Sequence, residues 1–594
     1  MASSLVIKAA LHDCAAWLNS HSLWPSGLLA ISLIALPILG DDFLAYQVAL
    51  FLIYGVATQG VSLCWGRLGL LPLGHGLFFG LGAYLVGGLM KVAAANPLWW
   101  MALLPALAVP TLLAWSVARL VFARNMRTGP YFSLITLAMT MLGFLGVQQW
   151  SELTGGFNGM GNIPEPFGLD RFSSLYWLIA GFTLASTWLL GVIVNRPLGV
   201  LWRAIAQNEE RMQLFGYATD HIKADAYALS ALITALAGAL FAAHQGIVTP
   251  QTMGFVISTE FVIWAAVGGK GSPLGALIGA VLVGYTSAEL RDVFSAWEVF
   301  IGLLFIAVVR FLPTGLAGLS MRYLPTSIAD QRLAVLAPST TIPVQVPELI
   351  FHEVRSSSGG VRILDGLSFR LSGPGIRALI GPNGAGKTSA FNVLTGKLPV
   401  DSGAITVASQ NVTGQPAWKV ARFGVGRKLQ VPSVFMDLSV RENLSIALWA
   451  GRMHGTAALC ESPHRWQTKL LQDLLQKFPD LMDSLESPAG QLSQGHRQAL
   501  ELVMTVVPEP HLLLLDEPCA GLSSAETHHM INVIRFAVER LNAAALLIEH
   551  DLSAVAALNS DVYVFHQGAL LAQGTLAEIQ SNPEVQQVYA GARK

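Results

Sequence analysis

One stretch of the chain combines glycines, a lysine and a hydroxyl at a spacing that suits phosphate binding. After a short apolar strand, the sequence reads G-P-N-G-A-G-K-T from Gly381 to Thr388, which fits the pattern G-x-x-x-x-G-K-[ST]. Glycines let backbone N–H groups turn toward an anion, Lys387 brings a positive charge, and the Thr388 hydroxyl suits Mg²⁺. The predicted phosphate-binding loop comprises Gly381, Pro382, Asn383, Gly384, Ala385, Gly386, Lys387, Thr388 and Ser389.

Two carboxylates follow another apolar strand. Four leucines, 512–515, precede Asp516 and Glu517. We expect Asp516 to hold Mg²⁺ through water. Glu517, one residue further and therefore aimed differently, is placed to orient or deprotonate an attacking water.

A histidine follows a third apolar strand. Residues 543–548 lead into Glu549-His550-Asp551. Open α/β sheets bind ligands at the carboxyl edge of their strands. We therefore predict that His550 contacts the γ-phosphate and acts with Lys387 and Glu517 in catalysis.

Two further motifs complete the set: Gln430 within R-K-L-Q-V-P, and L-S-Q-G-H at 492–496 before a helix. In this order, over about 345–592, the motifs resemble the ATP-binding cassette of ABC transporters. The resemblance implies an α/β P-loop NTPase fold with ATP and Mg²⁺ as cofactors. It assigns Gln430 to a loop that senses Mg²⁺ and contacts a membrane domain. It also implies that Ser493 and the Gly495 backbone close over the ATP of a second cassette.

Several positions depart from that family pattern. The L-S-Q-G-H motif stands where L-S-G-G-Q is commoner, and Ser523 replaces a usual aspartate. These changes favour a weaker half-site facing a better one. Ser358 occupies the position of the aromatic residue that stacks on adenine, and Phe351 is an alternative stacking residue.

The composition is too apolar for a protein that is surrounded by water alone. Of 594 residues, 53 % are hydrophobic and 12 % charged, whereas soluble domains carry about a quarter charged residues. Residues 1–320 hold 14 basic and 14 acidic side chains, and the rest of the chain holds 22 basic and 23 acidic side chains. A purely soluble protein is therefore excluded. The net charge of −1 gives no basic field for nucleic acid, and four separated cysteines indicate neither disulfides nor zinc.

Apolar segments long enough to cross a bilayer recur through the first 320 residues. We predict about ten spans, near 25–40, 43–65, 68–90, 98–122, 131–149, 175–194, 225–245, 254–268, 273–290 and 297–315. The first, eighth and ninth are short, so the count ranges from eight to eleven. The predicted fold is a polytopic α-helical membrane domain at 1–320, a proline-rich linker at 321–347 and the cassette at 348–594.

The basic residues of the loops predict the orientation. With the ATPase domain in the cytosol, ten spans place ten basic residues in short cytosolic loops and three outside, which obeys the positive-inside rule. The inside set is Lys8, Arg67, Arg119, Arg124, Arg127, Arg196, Arg203, Arg211, Lys223 and Lys270, and the outside set is Lys91, Arg171 and Arg291.

The polar loop at 196–223 contains a predicted short helix from Ala204 to Phe215. This helix is a candidate coupling element that docks on the cassette near Gln430. Paired glycines at G-x-x-x-G spacing, Gly76 with Gly80 and Gly275 with Gly279, favour close helix packing over a discontinuous helix.

Two polar residues within apolar segments have open interpretations. His75 is more consistent with a hydrogen-bonded structural role than with proton or substrate binding. Glu260 interrupts an apolar stretch, where a carboxylate is costly unless it is paired or hydrated. An interfacial location is equally compatible with its place near a span end.

The membrane half resembles permeases of the importers for branched-chain amino acids and for urea or short amides. The stretches that carry this resemblance lie at 70–84, 127–138, 154–160, 203–211 and 264–276, and those of the cassette at 424–430, 440–444 and 585–591. The resemblance implies a permease fused to its ATPase in the cytoplasmic (inner) membrane. The partners it implies are a second permease and cassette, homo- or heteromeric, and a periplasmic or lipid-anchored solute-binding protein. Q-N-E-E-R, F-G-Y and S-T-E-F-V-I-W lean toward the urea type without excluding amino acids.

Two other functions are compatible with parts of the sequence. An ABC exporter half-transporter has similar length, but it would resemble six long helices that continue into the cytosol. A membrane-anchored regulatory ATPase would hydrolyse ATP with no transport path. Solute movement in reconstituted liposomes separates both from an importer.

Overall fold

The computed structural model describes residues 23–92, 99–122, 129–291, 296–312, 314–321, 335–342, 345–453, 455–459, 465–558 and 560–591. The chain forms two compact units. The first comprises Met1–Ala206 and Asp220–Gln331, and the second comprises Gln207–Thr219 and Arg332–Lys594. Of the basic residues used for the orientation, Lys8, Arg124 and Arg127 lie outside the described residues.

The first part of the chain is helical. Its α-helices are α1 Leu23–Leu39, α2 Asp42–Ser62, α3 His75–Val92, α4 Leu103–Phe122, α5 Gly129–Gln149, α6 Ser151–Thr154, α7 Ser174–Val194, α8 Pro197–Gln207, α9 Glu209–Leu214, α10 Thr219–Gln245, α11 Phe255–Gly268, α12 Pro273–Arg291, α13 Trp297–Phe311 and α14 Gly315–Met321. Helix α9 belongs to the second unit and the others lie wholly or mainly in the first.

Among the described residues, eight helices are long and apolar enough to cross a membrane. They are Asp42–Arg67, His75–Val92, Leu103–Phe122, Gly129–Gln149, Ser174–Val194, Thr219–Gln245, Pro273–Leu290 and Val299–Gly318. Two further apolar helices, Ser26–Leu39 and Phe255–Gly268, are shorter. Each of the ten predicted segments therefore contains an apolar helix. The first and eighth fall short of a bilayer's thickness, and the ninth does not.

Helix packing accounts for the paired glycines. A Cβ added at Gly279 of α12 would collide with the Trp264 carbonyl of α11, and one at Gly268 of α11 would collide with the Gly275 carbonyl. The G-x-x-x-G spacing thus lets two backbones approach closely. His75 is fully buried and hydrogen-bonds to Ser230, as a structural histidine would.

The second unit contains the strands. They are β1 Val335–Leu336, β2 Glu348–Ser358, β3 Val361–Ser372, β4 Gly375–Ile380, β5 Ser402–Val407, β6 Gln410–Asn411, β7 Val425–Lys428, β8 Trp466–Gln467, β9 Leu512–Asp516, β10 Ala544–Ile548, β11 Asp561–His566 and β12 Ala569–Gly574. Its remaining α-helices are α15 Lys387–Leu394, α16 Ala417–Arg422, α17 Val440–Trp449, α18 Lys469–Lys477, α19 Pro479–Asp483, α20 Gln494–Val506, α21 Ser524–Leu541, α22 Leu552–Leu558, α23 Leu576–Ser581 and α24 Pro583–Gly591.

A six-stranded sheet with the order β12-β11-β4-β10-β9-β7 forms the centre of this unit. All of its pairings are parallel except β11 with β12. Every residue of β9 and of β10 is buried, as expected for parallel strands covered on both faces. A second, antiparallel sheet has the order β3-β2-β5-β6, and aliphatic and aromatic side chains of both sheets share one core.

Part of the predicted linker is ordered on the second unit. Strand β1 pairs in parallel with β8, and the Thr341 N–H donates to the Gly451 carbonyl at 2.8 Å. The prolines of the linker prevent a helix, but they are compatible with a two-residue edge strand, which pairs with only one neighbouring strand. Residues 322–334 and 343–344 of the linker lie outside the described residues.

Candidate functional site

The predicted phosphate-binding loop connects β4 to α15. Gly384 and Gly386 have φ of 81° and 96°, a backbone region that favours glycine. Helix α15 begins at Lys387, whose Nζ donates to the Gly381 carbonyl at 2.7 Å and to the Pro382 carbonyl at 3.1 Å. Burial lowers the pKa of Lys387, while Glu517 and Asp516 act to raise it. The ammonium is therefore held inside the loop where a phosphate would lie.

Asp516 ends β9 and lies beside the start of α15. Asp516 is 1 % exposed, and its carboxylate accepts a hydrogen bond from Thr388. Burial raises the pKa of Asp516, and the nearby Arg427 guanidinium acts in the opposite direction. One of its oxygens, Oδ1, has no hydrogen-bond partner among the described residues. A buried carboxylate oxygen left without a donor is suited to a metal ion or its bound water.

Glu517 follows Asp516 but points elsewhere. Its φ of 45° is left-handed, and its N–H donates to the Ile548 carbonyl at 3.0 Å, which fixes this uncommon conformation. The Glu517 Oε1 atom lies 3.0 Å from Nε2 of Gln430 and 3.0 Å from Nε2 of His550. The structure thus brings two predicted site residues, Gln430 and His550, to one carboxylate oxygen of a third, Glu517.

The strand order explains this convergence. Strands β4, β10, β9 and β7 are consecutive neighbours in the parallel sheet. The P-loop, His550, the pair Asp516 and Glu517, and Gln430 lie at the carboxyl ends of these four strands, respectively. Parallel strands end at one edge of their sheet, so the four motifs meet there despite their separation in sequence.

An open cavity lies at this edge. Its volume is about 650 Å³, and its lining includes Thr388, Gln430 and Asp516, the three predicted metal ligands. No group of three histidine, cysteine or carboxylate side chains suited to a metal occurs among the described residues. Mg²⁺ does not require one, because it binds through one or two carboxylates together with phosphates and water. Hard oxygen donors from Thr388 and Asp516 fit that preference.

Ser493 and Gly495 lie at the start of α20. The Ser493 hydroxyl accepts a hydrogen bond from the His496 N–H at 3.2 Å, so it caps the helix. A Cβ added at Gly495 would lie 3.1 Å from the Glu526 carboxylate of α21. The capping bond and the close approach of the Gly495 backbone to α21 place the signature sequence L-S-Q-G-H within its own cassette.

Phe351 is unsuited to stacking on adenine. It is 3 % exposed and its ring stacks on Phe369 with centroids 4.8 Å apart. The suggestion that Phe351 replaces the missing aromatic is therefore wrong, because strand alternation directs this side chain into the core. Ser358, at the end of β2, is exposed.

The predicted helix from Ala204 to Phe215 is two helices rather than one. Helix α8 ends at Gln207 and α9 begins at Glu209. Between them, Asn208 has φ of −152° and its side chain accepts from the Arg211 N–H. Asparagine is a strong helix N-cap, and this local signal was available in the sequence.

The segment Gln207–Thr219 packs within the second unit, close to Gln430. The Asn208 amide donates to the Ser433 hydroxyl at 2.8 Å, and the Asp437 N–H donates to Gln207 at 3.0 Å. The Tyr217 hydroxyl donates to the Ile446 carbonyl at 2.8 Å. The expected docking of this segment near Gln430 is therefore present.

Sequence reasoning assigned no site role to Arg211, Lys428 or Glu501. All three are completely buried in this unit and form ion pairs. A hydrophobic pattern cannot reveal such partners, because they lie up to 290 residues apart in the sequence.

Comparison with known families agrees with this geometry. Residues 43–309 match the family described as branched-chain amino acid transport system / permease component, and residues 364–520 match the ABC transporter family. The chain is 35 % identical over 251 residues to the high-affinity branched-chain amino acid transport ATP-binding protein LivG of Salmonella typhimurium, covering 41 % of this chain and 98 % of LivG. It is 33 % identical over 238 residues to the corresponding protein BraF of Pseudomonas aeruginosa, covering 39 % of this chain and 93 % of BraF.

Among solved structures, a nucleotide-free ATP-binding cassette from an ABC transporter matches 41 % of this chain and 98 % of its own length, with 24 % identity and a TM-score of 0.35. The LivG and BraF matches cover nearly the whole of those proteins, and the permease match covers most of the helical part. The chain therefore belongs to the ABC transporter family as an ATP hydrolase coupled to transport, with a permease domain and an ATP-binding domain joined in one polypeptide.

Proposed function

We propose that this protein drives uptake of a small polar or amino-acid-like solute across the cytoplasmic membrane, as the fused permease and ATPase subunit of a binding-protein-dependent importer. The observation that carries this proposal is that one chain combines membrane-length helices, of which the described residues contain eight, with a nucleotide site assembled at one sheet edge. Relatives of the cassette serve branched-chain amino acid transport, which supports a solute of this size.

Each site residue has a distinct role in this proposal. Lys387 and the backbone of Gly381–Ser389 hold the nucleotide phosphates. Thr388, Gln430 and Asp516 hold Mg²⁺, which neutralises phosphate charge when bound. Glu517 orients or deprotonates water, and His550 contacts the γ-phosphate from the same edge.

The contacts of Glu517 determine the orientation of its carboxylate. One oxygen of this carboxylate lies near both Gln430 and His550. A water that approaches this oxygen, Oε1, must exchange with one of these neighbours, whereas both contacts leave the second oxygen, Oε2, uninvolved. Nucleotide can favour the exchanged arrangement of Glu517 only if it binds that arrangement more tightly than the one with both neighbours in place.

The remaining assembly follows from the single cassette in the chain. We propose domains at 1–320 and 348–594 joined by a linker at 321–347, with the ATPase domain in the cytosol. Ser493 and Gly495 would complete the site of a second cassette, which comes from another copy or from a different subunit. A periplasmic or lipid-anchored protein would deliver the solute.

The proposed solute belongs to one of two classes, and a different observation favours each class. The names of the relatives favour branched-chain amino acids. The sequence around Glu260 and the stretch Gln207–Arg211 favour urea or short amides. In the structure, Glu260 is half-buried in the short helix α11.

The test uses proteoliposomes that contain the complete transporter with its partner subunits and solute-binding protein. Uptake of radiolabelled leucine, urea and acetamide is compared in the presence of Mg-ATP. Accumulation of one class, lost with Glu517→Gln, supports the proposal and identifies the solute. Undiminished ATP hydrolysis with no movement of any solute would favour a regulatory ATPase.

A further inference from the structure

Arg211 of the segment Gln207–Thr219 is completely buried among residues of the ATP-binding domain. Its guanidinium donates to the Arg427 carbonyl at 2.7 Å and to the Thr505 hydroxyl at 2.9 Å. It also lies 3.4 Å from the Glu501 carboxylate, which is equally inaccessible to solvent. An arginine in a solvated loop would not form three such contacts with buried groups.

Glu501 connects Arg211 to the backbone next to Gln430. One of its oxygens accepts a hydrogen bond from the Leu429 N–H at 3.1 Å. Its other oxygen lies 3.5 Å from the buried Lys428 ammonium. The carboxylate thus binds Arg211, Lys428 and the N–H of Leu429, the residue before Gln430.

Arg427 extends the same cluster to the phosphate-binding side. Its guanidinium donates to the Asn392 side chain at 2.7 Å and to the Phe391 carbonyl at 3.2 Å. Both acceptors belong to α15, the helix that begins at Lys387. The carbonyl of this same Arg427 accepts from Arg211, so a single residue contacts both Arg211 and α15.

The buried ion pairs of Arg211 and Lys428 with Glu501 make this cluster sensitive to the loss of any one of the three charges. Burial lowers the pKa of Arg211 and of Lys428, and the Glu501 charge opposes this shift in both. Deleting one partner from a buried ion pair leaves the other charge uncompensated in a medium of low polarity. The remaining groups must then rearrange or admit water.

We propose that Arg211 is a positioning residue, which through Glu501 fixes the Leu429 backbone and thereby places Gln430 against Glu517. Arg211 lies in a segment continuous with the membrane-length helix α10. A displacement of that segment would therefore be felt at Gln430 through two contacts. The inference rests on the roles proposed above for Gln430 and Glu517.

The neighbouring residue offers a matched control. Glu210 pairs with Lys397 at 2.7 Å, but both side chains are about half exposed, at 46 % and 51 %. Exposed ion pairs contribute little, because water screens the charges and the long side chains lose entropy. Glu210→Gln removes a charge one residue away from Arg211. It loses only a minor charge interaction with Arg427 and leaves the contacts of Arg211 with Glu501 in place.

The experiment measures hydrogen–deuterium exchange and Mg-ATP hydrolysis of the full chain in nanodiscs, together with its partner subunits. For Arg211→Met and for Glu501→Gln, exchange in the peptide that contains Leu429 rises at least tenfold. The kcat falls about tenfold, while KM for Mg-ATP stays within twofold. Arg211→Lys, which keeps the charge, gives intermediate values, and Glu210→Gln resembles the unsubstituted protein.

Two further variants separate the possible failures. Glu517→Gln abolishes hydrolysis but leaves exchange at Leu429 unchanged, so retained hydrolysis in that variant contradicts the proposed function alone. If Arg211→Met unfolds the cassette, seen as lost protection in β9 and β10, Arg211→Lys and the near-isosteric Thr505→Val decide. Unchanged Leu429 exchange in these two variants, or an equal effect of Glu210→Gln, overturns the positioning role.

Discussion

The side-chain amide of Gln430 donates a hydrogen bond to the Glu517 carboxylate, with 3.0 Å between Nε2 and Oε1. This bond connects the loop after β7 to the residue after β9, 87 positions further along the chain. Because Leu429 precedes Gln430 and is itself held by Glu501, the location of the proposed catalytic carboxylate depends on that loop.

The first prediction concerns Glu517 itself. Glu517→Gln keeps the shape of the side chain but removes its ability to accept a proton, so ATP hydrolysis should fall by roughly 10²- to 10⁴-fold. Phosphate release measures this fall, and equilibrium binding of labelled ATP should be retained. Asp551→Asn, an exposed position just after His550, serves as the control. A Glu517→Gln variant within twofold of normal turnover would exclude the base role.

A second prediction concerns the Lys387 ammonium. Lys387→Ala removes the charge that lies inside the P-loop, and hydrogen bonds to charged groups are worth about 1.5–3 kcal/mol. ATP should therefore bind at least roughly tenfold more weakly, as measured with a fluorescent ATP analogue. Lys419→Ala, a basic residue of α16, is expected to bind normally. Equal losses in the two variants would indicate a general effect of positive charge.

The adenine end of the nucleotide gives a third prediction. Phe351→Leu should lower the free energy of unfolding by about 1 kcal/mol, because it disturbs the stack with Phe369 in the core. It should leave ATP affinity unaltered. Ser358→Tyr should instead tighten ATP binding several-fold, since base–aromatic stacking contributes about 1–3 kcal/mol. If Phe351→Leu weakened ATP binding without lowering the free energy of unfolding, the assignment of Phe351 to the core would be contradicted.

The fourth prediction is a pH dependence of stability. His511 is 7 % exposed, and its ring nitrogens have no partner among the described residues. Burial lowers its pKa below the ordinary 6.5. The unfolded chain then binds a proton that the folded chain excludes, so stability falls as pH drops below about 6.5.

Thermal unfolding of the purified full chain between pH 5 and 7.5 tests this dependence. His511→Leu has similar volume and cannot titrate, so its unfolding midpoint should vary less over that range. An identical slope for both proteins would mean that other groups determine the acid sensitivity. The chain is best followed through the cassette transition, because two units need not unfold together.

The P-loop and the carboxylates are recognisable in the sequence because each motif is local: a buried strand followed directly by its candidate site residues. It could not predict that Gln430 and His550 approach the same oxygen of Glu517, since that depends on strand order. Nor could it identify Glu501 as the partner of Arg211, because the apolar face of α20 gives no sign of a buried charge. The break at Asn208 was missed although its capping role is encoded locally.

The most direct test of the account measures which way solute moves when ATP is supplied on one side only. Proteoliposomes that contain the complete transporter, with the cassettes facing the lumen, are loaded with Mg-ATP and given the solute bound to its receptor outside. The account predicts accumulation of solute inside the vesicles, on the cassette side, and none with Glu517→Gln. Solute loaded inside and expelled by the same ATP, without any receptor, would contradict it.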